Sequence, residues 1–87
     1  MQEDQIIAGL KTKDRMTTEY VYKKYSWALF AVISRVITNK DEAEIVFHDS
    51  FVTIVLKIHD YDRLNNKLYT WMADICRATA LENILSK

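Results

Sequence analysis

The sequence predicts a small all-α domain, and three observations lead to this prediction. The 87-residue chain has one glycine and no proline, whereas chains with many tight turns need both residues. Apolar residues recur at the three- and four-residue spacing of a helix face through most of the chain. Of the residues, 49% are hydrophobic and 28% are charged, a balance typical of a globular protein. We therefore expect a single orthogonal or bundle-like domain over residues 1–87, with three main helices and a short N-terminal helix.

The first half of the chain predicts the short helix and then a long one. Residues 4–10 place Ile6, Ile7 and Leu10 on one side of a helix, and residues 12–14 form a polar break. Residues 16–37 then carry apolar side chains at helical spacing. These side chains are Tyr22, Tyr25, Leu29, Val32, Ile33 and Val36.

The third helix is predicted to begin after Asn39 and to run to about Ile58. Asn39 and Glu42 have the spacing of a capping box, and acidic residues in the first turn suit the positive end of the helix dipole. Dense β-branched residues leave a strand as the alternative, but the length and the apolar stripe favour a helix. The stripe consists of Ala43, Phe47, Phe51, Ile54 and Ile58.

A polar loop over residues 59–66 is expected to lead into the last helix, over residues 68–85. Asn66 can cap this helix through its side-chain oxygen. The residues predicted to face inward are Leu68, Met72, Ile75, Cys76, Ala80 and Ile84.

Charge and cysteine content narrow the function classes. The chain has 12 basic and 12 acidic residues, so it lacks the basic excess typical of a domain that binds nucleic acid unaided. The single Cys76 cannot form an internal disulfide, which indicates a reducing compartment. The N-terminus does not resemble a signal peptide, and no apolar run reaches the length that spans a membrane. We expect a cytoplasmic protein with no membrane partner.

The sequence offers no catalytic machinery. Glycine-rich phosphate loops and Ser/His/Asp patterns are missing, and Cys76 falls on an apolar stripe, where a buried structural thiol is expected. Glu44 and His48 are four residues apart on one helix, but a metal site needs more ligands. We expect no enzymatic activity, no catalytic residue, no metal and no cofactor.

Four stretches of the chain form an ordered set of motifs. They are IIAGLKTKDRMTTEYVYKKYS near the start, EAEIVFHDSF in the third helix, YDRLNNKLYTWM around the loop and ICRATALENI in the last helix. In this order they resemble the second conserved region of bacterial sigma factors, of the extracytoplasmic-function (ECF) type. The resemblance covers nearly the whole chain, although no single stretch is specific.

The resemblance implies a transcription initiation factor domain that binds core RNA polymerase and recognises and melts the minus-ten element of a promoter. In the family, the helix matched by EAEIVFHDSF binds the β′ clamp helices of polymerase. The resemblance therefore assigns polymerase binding to Glu44, His48 and Asp49. A full sigma factor of this type also has a helix-turn-helix domain, so a chain without one is expected to be an excised domain or a truncated protein.

In the family, the loop before the last helix traps an unpaired base of the non-template strand. Stacking of such a base on an aromatic ring contributes about 1–3 kcal/mol. Simple burial is the alternative for Trp71, and an ordinary solvated surface is the alternative for the cations. The residues implied to bind promoter DNA are Tyr61, Arg63, Asn65, Asn66, Lys67, Tyr69, Trp71 and Arg77.

Several positions depart from the family pattern. Ile45 and His48 replace an Asp and a Gln on the polymerase side, and Ala78 and Leu85 remove polar groups on the DNA side. These changes and the zero net charge support an alternative, in which a degenerate sigma-like module binds polymerase or an anti-sigma partner without reading DNA. A helical domain of unrelated function is the third interpretation.

Overall fold

The computed structural model describes residues 1–86, and the regular elements within them are all helical. The chain forms α1 (Glu3–Lys11), α2 (Arg15–Ser34), α3 (Lys40–Lys57), a short 3-10 helix (Ile58–Asp60) and α4 (Leu68–Leu85). The predicted all-α class is confirmed, and α4 has the predicted bounds. The third helix is extended by the 3-10 turn, which occupies the first part of the predicted loop, and α2 ends at Ser34 rather than at Ile37.

Short polar side chains define where α2 and α3 begin. The Asp14 carboxylate accepts hydrogen bonds from the Thr17 backbone N–H, at 2.9 Å, and from the Thr17 hydroxyl, at 2.6 Å. These bonds lower the pKa of the Asp14 carboxyl. At α3, the Asn39 side-chain oxygen accepts from the Glu42 N–H at 2.9 Å, as its position predicted.

The predicted cap of α4 is wrong. The N-cap residue is Lys67, whose side chain makes no capping hydrogen bond. Asn66 contributes its backbone carbonyl instead, which accepts a hydrogen bond from the Tyr61 hydroxyl at 2.8 Å. The loop is therefore closed by a tertiary contact of Tyr61 rather than by a local side-chain cap.

The core lies where α2, α3 and α4 pack together, and α1 covers one side of α2. Tyr22 was predicted to face the core, but it is 37% exposed. Its neighbour Val21 is buried instead. Ile84, predicted to face inward, is 43% exposed because it lies at the end of α4. The largest fully buried side chains include Ile6, Leu10, Leu29, Ile33, Ile54, Ile58, Leu68 and Met72.

Over residues 1–86, none of the helices combines the length and the apolar character needed to cross a membrane.

Candidate functional site

The three residues assigned to polymerase binding lie on the solvent side of α3. Glu44, His48 and Asp49 are all exposed, whereas Phe47 is buried and Phe51 is half-buried. This distribution follows from the helical period, because positions 43, 47, 50 and 54 turn toward the core. The predicted orientation of the helix is confirmed.

A strip of apolar side chains runs along the outer face of α3. Ile45, Val52 and Leu56 are 63%, 56% and 66% exposed, and Asp49 lies between Ile45 and Val52. The four positions are spaced by four, three and four residues, which is the heptad spacing of a helix that packs against another helix. We call Ile45, Asp49, Val52 and Leu56 the outer strip. Exposed apolar groups that lie along one face of a helix indicate an interaction surface.

A groove of about 550 Å³ separates the outer part of α3 from α2. Glu44 and His48 line it, but Asp49 does not, so the structure divides the predicted polymerase-binding set between the groove and the outer strip. The floor is aromatic, because the Tyr22 ring lies 5.7 Å from Phe47 and stacks at 6.5 Å on His48. The other lining residues are Ser26, Trp27, Phe30 and Lys40.

Trp27 at the rim of this groove is the most exposed large aromatic residue of the described chain, at 87%. The sequence contains a signal for this exposure. Trp27 lies two residues before the buried Leu29, which places the two side chains on nearly opposite sides of α2. A tryptophan off the apolar stripe of an amphipathic helix indicates a surface role.

The loop between the 3-10 helix and α4 is held in one conformation by Asp62. The Asp62 carboxylate accepts a hydrogen bond from the Leu64 N–H at 2.9 Å, and its carbonyl accepts from the Asn65 N–H at 3.0 Å. This arrangement is an Asx turn, in which a side chain replaces backbone turn contacts. The turn leaves Asn65, Asn66 and Lys67 exposed, and Leu64 at its tip is 91% exposed.

Tyr61 holds this loop against the rest of the domain. Its side chain is buried, and its ring packs against Trp71 with 5.4 Å between the ring centroids. Its hydroxyl also lies 3.4 Å from a Glu3 carboxylate oxygen. Burial, with a further contribution from Glu3, raises the pKa of Tyr61. Tyr61 is therefore part of the packing that holds the loop, and its hydroxyl is engaged within the domain.

Two of the three assigned cations pair with aspartates. Arg63 forms an ion pair with Asp4 of α1, and Arg77 lies 3.0 Å from Asp74 one turn earlier in α4. Both pairs are half-exposed or more, so each contributes little to stability. The two aspartates nevertheless offset the charge of the Arg63 and Arg77 guanidinium groups. Lys67 is then the assigned cation without a carboxylate partner in the described residues.

The aromatic residues at the start of α4 also have partners. Tyr69 stacks on Tyr25 of α2 at 6.1 Å, with 27° between the ring planes. The Lys24 ammonium lies 5.4 Å from the Tyr25 ring on the same surface, within the range of a cation–π contact. Trp71 is half-buried beside Tyr61. Tyr69 and Trp71 therefore each have an aromatic partner within the domain.

The remaining candidate chemistry is sparse. Residues 1–86 contain no group of three His, Cys, Asp or Glu side chains that could hold a metal ion. Cys76 is fully buried, and this burial raises the pKa of its thiol to about 11. A thiol in that state is a poor nucleophile, because the thiolate is the reactive form.

Searches with this sequence and structure among models of protein families, curated proteins and solved structures give no match.

Proposed function

We propose that this domain is a sigma-like transcription factor module that binds core RNA polymerase through the outer face of α3. The observation that carries the proposal is the outer strip, which exposes three large apolar side chains in heptad spacing around Asp49. A partner made of helices, such as the β′ clamp helices, suits this spacing. The order of motifs in the sequence supports polymerase as that partner. Such a role belongs to the cytoplasm and needs no catalytic residue.

The acidic residues of α3 give a further reason to propose a helical partner of this kind. Asp41, Glu44 and Asp49 are exposed on α3 along or beside the outer strip. A surface that combines acidic and apolar groups favours a partner helix that carries basic residues among apolar ones, because complementary charge raises the association rate and fixes the register. The exposed apolar area of the strip then supplies the core of the contact.

The test is a charge reversal in the middle of the outer strip. Asp49→Arg should weaken binding to core polymerase by about tenfold or more, because it places a cation against a basic partner. The free energy of unfolding should change by no more than about 0.5 kcal/mol, as is usual for an exposed site. Binding can be measured by the anisotropy of an N-terminally labelled domain titrated with purified core polymerase.

Glu82→Arg is the matched control. Glu82 is exposed on α4, so its reversal changes the net charge of the chain by the same amount at a different surface. If the two variants bind polymerase equally well, the outer strip is not the contact.

Recognition of the promoter minus-ten element is a second role that the loop supports. The Asx turn at Asp62 fixes the backbone while it leaves the Asn65 and Asn66 side chains and Lys67 exposed. Amide groups can read the edge of an unpaired base, and a loop fixed in advance loses less entropy on binding. Because Arg63 and Arg77 already pair with aspartates, contact with DNA is expected only while polymerase holds the domain on the promoter.

Promoter opening can be measured by the permanganate reactivity of unpaired thymines. Asn65→Ala together with Lys67→Ala should reduce opening severalfold and leave polymerase binding unchanged, because both side chains are exposed. Trp71→Leu keeps an apolar contact with Tyr61 but removes the flat aromatic ring, so it tests stacking separately. If opening is unchanged in these variants while polymerase binding is intact, the domain is an interaction module that does not read DNA. The aspartate pairs of Arg63 and Arg77 favour that alternative.

A further inference from the structure

The groove between α2 and α3 presents a projecting side chain and a cavity on one surface. Trp27 stands at the rim with 87% of its surface exposed, although exposing an aromatic ring of this size to water is unfavourable. The adjacent groove of about 550 Å³ is lined by aromatic side chains, and pockets that bind ligands have volumes of about 300–1,000 Å³. A surface that carries both a knob and a hole can be complementary to a second copy of itself.

The charges of the groove have the same property. Lys40 and Glu44 both line it, and neither forms an ion pair within residues 1–86. They are one helical turn apart, which is about 6 Å along α3. In a two-fold contact, residue i of one copy meets residue j of the other, and j meets i. A two-fold axis between Lys40 and Glu44 would therefore place each ammonium opposite the carboxylate of the other copy.

The overall charge does not oppose such a contact. The chain carries 12 basic and 12 acidic residues, so two copies have no net repulsion. Proteins with a net charge near zero associate more readily than strongly charged ones. By contrast, a groove with a single sign of charge would have favoured a partner of the opposite sign.

We propose that the α2–α3 groove is the interface of a two-fold dimer, in which Trp27 of each copy fills the groove of the other. This interface covers Glu44 and His48. Dimer formation and polymerase binding therefore compete for Glu44, which lines the groove and also belongs to the acidic face proposed to contact polymerase. The competition rests on the proposed function, whereas the dimer itself does not.

The first test is the molar mass in solution as a function of protein concentration, measured by sedimentation equilibrium. The wild-type mass should rise from one chain to two and no further. Trp27→Ala should weaken dimerisation by about tenfold or more, as is typical for a tryptophan at the centre of an interface. A wild-type protein that remains monomeric at millimolar concentration overturns the proposal. A mass that rises beyond two chains overturns the two-fold arrangement.

Met16→Ala is the matched control for this test. Met16 is also on α2 and is 77% exposed, but it does not line the groove. Its loss should leave dimerisation unchanged. Because both side chains are mainly in solvent, both variants should keep the far-UV circular dichroism of the wild type. Equal dimerisation by Trp27→Ala and the wild type would assign the dimer to another surface and overturn the proposal.

A charge exchange tests the position of the two-fold axis. Lys40→Glu places two carboxylates opposite each other across the axis, and Glu44→Lys places two ammonium groups there, so each change should weaken the dimer. In the double variant, residue 40 of each copy again lies opposite a residue 44 of opposite charge. The double variant should therefore recover most of the lost affinity. If the double variant is no better than the single ones, Lys40 and Glu44 do not meet across the interface.

Competition can be followed by energy transfer between two N-terminally labelled copies. Added core polymerase should abolish the transfer, and Trp27→Ala should bind polymerase as tightly as the wild type at low concentration and better at high concentration. Loss of polymerase binding in Trp27→Ala would show that a polymerase segment occupies the groove and overturn the proposal. Persistent transfer in the polymerase complex would overturn the competition. Failure of both proteins to bind polymerase would overturn the proposed function and the competition, but not the dimer.

Discussion

The single glycine of the chain is required for space rather than for backbone freedom. Gly9 lies where α1 meets the start of α2, and a Cβ at this position would lie 2.2 Å from the Thr17 hydroxyl oxygen. Thr17 is itself buried and held by Asp14, whose backbone N–H donates to the Gly9 carbonyl at 2.8 Å. The atoms around Gly9 are therefore fixed by three linked contacts and have little room to move.

We predict that Gly9→Ala lowers the free energy of unfolding by about 1–3 kcal/mol, the usual cost of forcing an extra group into a packed site. Helix propensity alone would act in the opposite direction, since alanine is favoured over glycine inside a helix by roughly 0.5–1 kcal/mol. The sign of the change therefore decides between steric and propensity effects. Urea unfolding followed by circular dichroism measures it.

Ala8→Gly provides the control for this prediction. Ala8 is exposed in the same helix, so its replacement reports the propensity effect alone, a loss of about 1 kcal/mol. A Gly9→Ala protein as stable as the wild type, or more stable, would mean that Thr17 can move aside without cost.

At the scale of the helices, one lysine joins the start of the chain to the end of α3. Lys13 is the non-glycine residue with positive φ in the described chain, at 61°. This conformation directs the backbone from α1 into α2, and the Lys13 ammonium donates a hydrogen bond to the Val55 carbonyl at 2.7 Å. Val55 lies in the last turn of α3. Backbone carbonyls at this end of a helix have no N–H partner within the helix, and the helix dipole favours a cation there.

Lys13→Met should lower the free energy of unfolding by about 1 kcal/mol, because it keeps the length of the side chain and removes the charged hydrogen bond. Lys13→Gly loses the same bond but relieves a left-handed conformation that costs about 1–2 kcal/mol in other residues, so it should be less destabilising than Lys13→Met. The exposed Lys23→Met on α2 serves as the control and should change stability by less than about 0.5 kcal/mol. Equal stability of Lys13→Met and the wild type would assign no role to the Val55 contact. Urea unfolding again provides the values.

The helices could be predicted from the sequence because their signals are local. Asn39 lies three residues before the N–H that it caps, and the bounds of α4 follow from its apolar period. The contacts of Arg63 and Tyr61 with α1 could not be predicted in this way, whereas the pair of Arg77 and Asp74 is local. Arg63 pairs with an aspartate 59 positions earlier, and the Tyr61 hydroxyl lies beside a glutamate 58 positions earlier. No local pattern encodes such pairs, because they exist only once α1 has docked beneath the loop.

The whole molecule exposes different chemistry on different sides. The outer face of α3 combines acidic and apolar groups, the α2–α3 groove is aromatic, and the loop before α4 presents exposed amides beside a lysine. The sequence predicted that Glu44, His48 and Asp49 would be exposed, and they are. It did not predict the groove, because that cavity depends on how far α2 and α3 separate at Tyr22 and Phe47.

The reactivity of the single thiol, Cys76, reports the stability of the whole domain. Cys76 is fully buried in the middle of α4, in the core formed with α2 and α3. Burial raises the pKa of the thiol to about 11, so both access and ionisation oppose its reaction in the folded state. We predict that a disulfide reagent reacts with Cys76 only after the helices separate, because the residue is fully buried in the middle of α4.

The reaction in buffer should then be slower than in concentrated urea by roughly two orders of magnitude or more, given a stability of about 3–5 kcal/mol for a domain of this size. Ala28→Cys in a Cys76→Ala background places a thiol on the exposed side of α2 and should react at once under both conditions. Reaction through global unfolding has a second signature, since its rate rises with urea along the same slope as equilibrium unfolding. A rate for Cys76 that does not depend on urea at low concentrations would instead show that α4 opens locally while α2 and α3 stay packed.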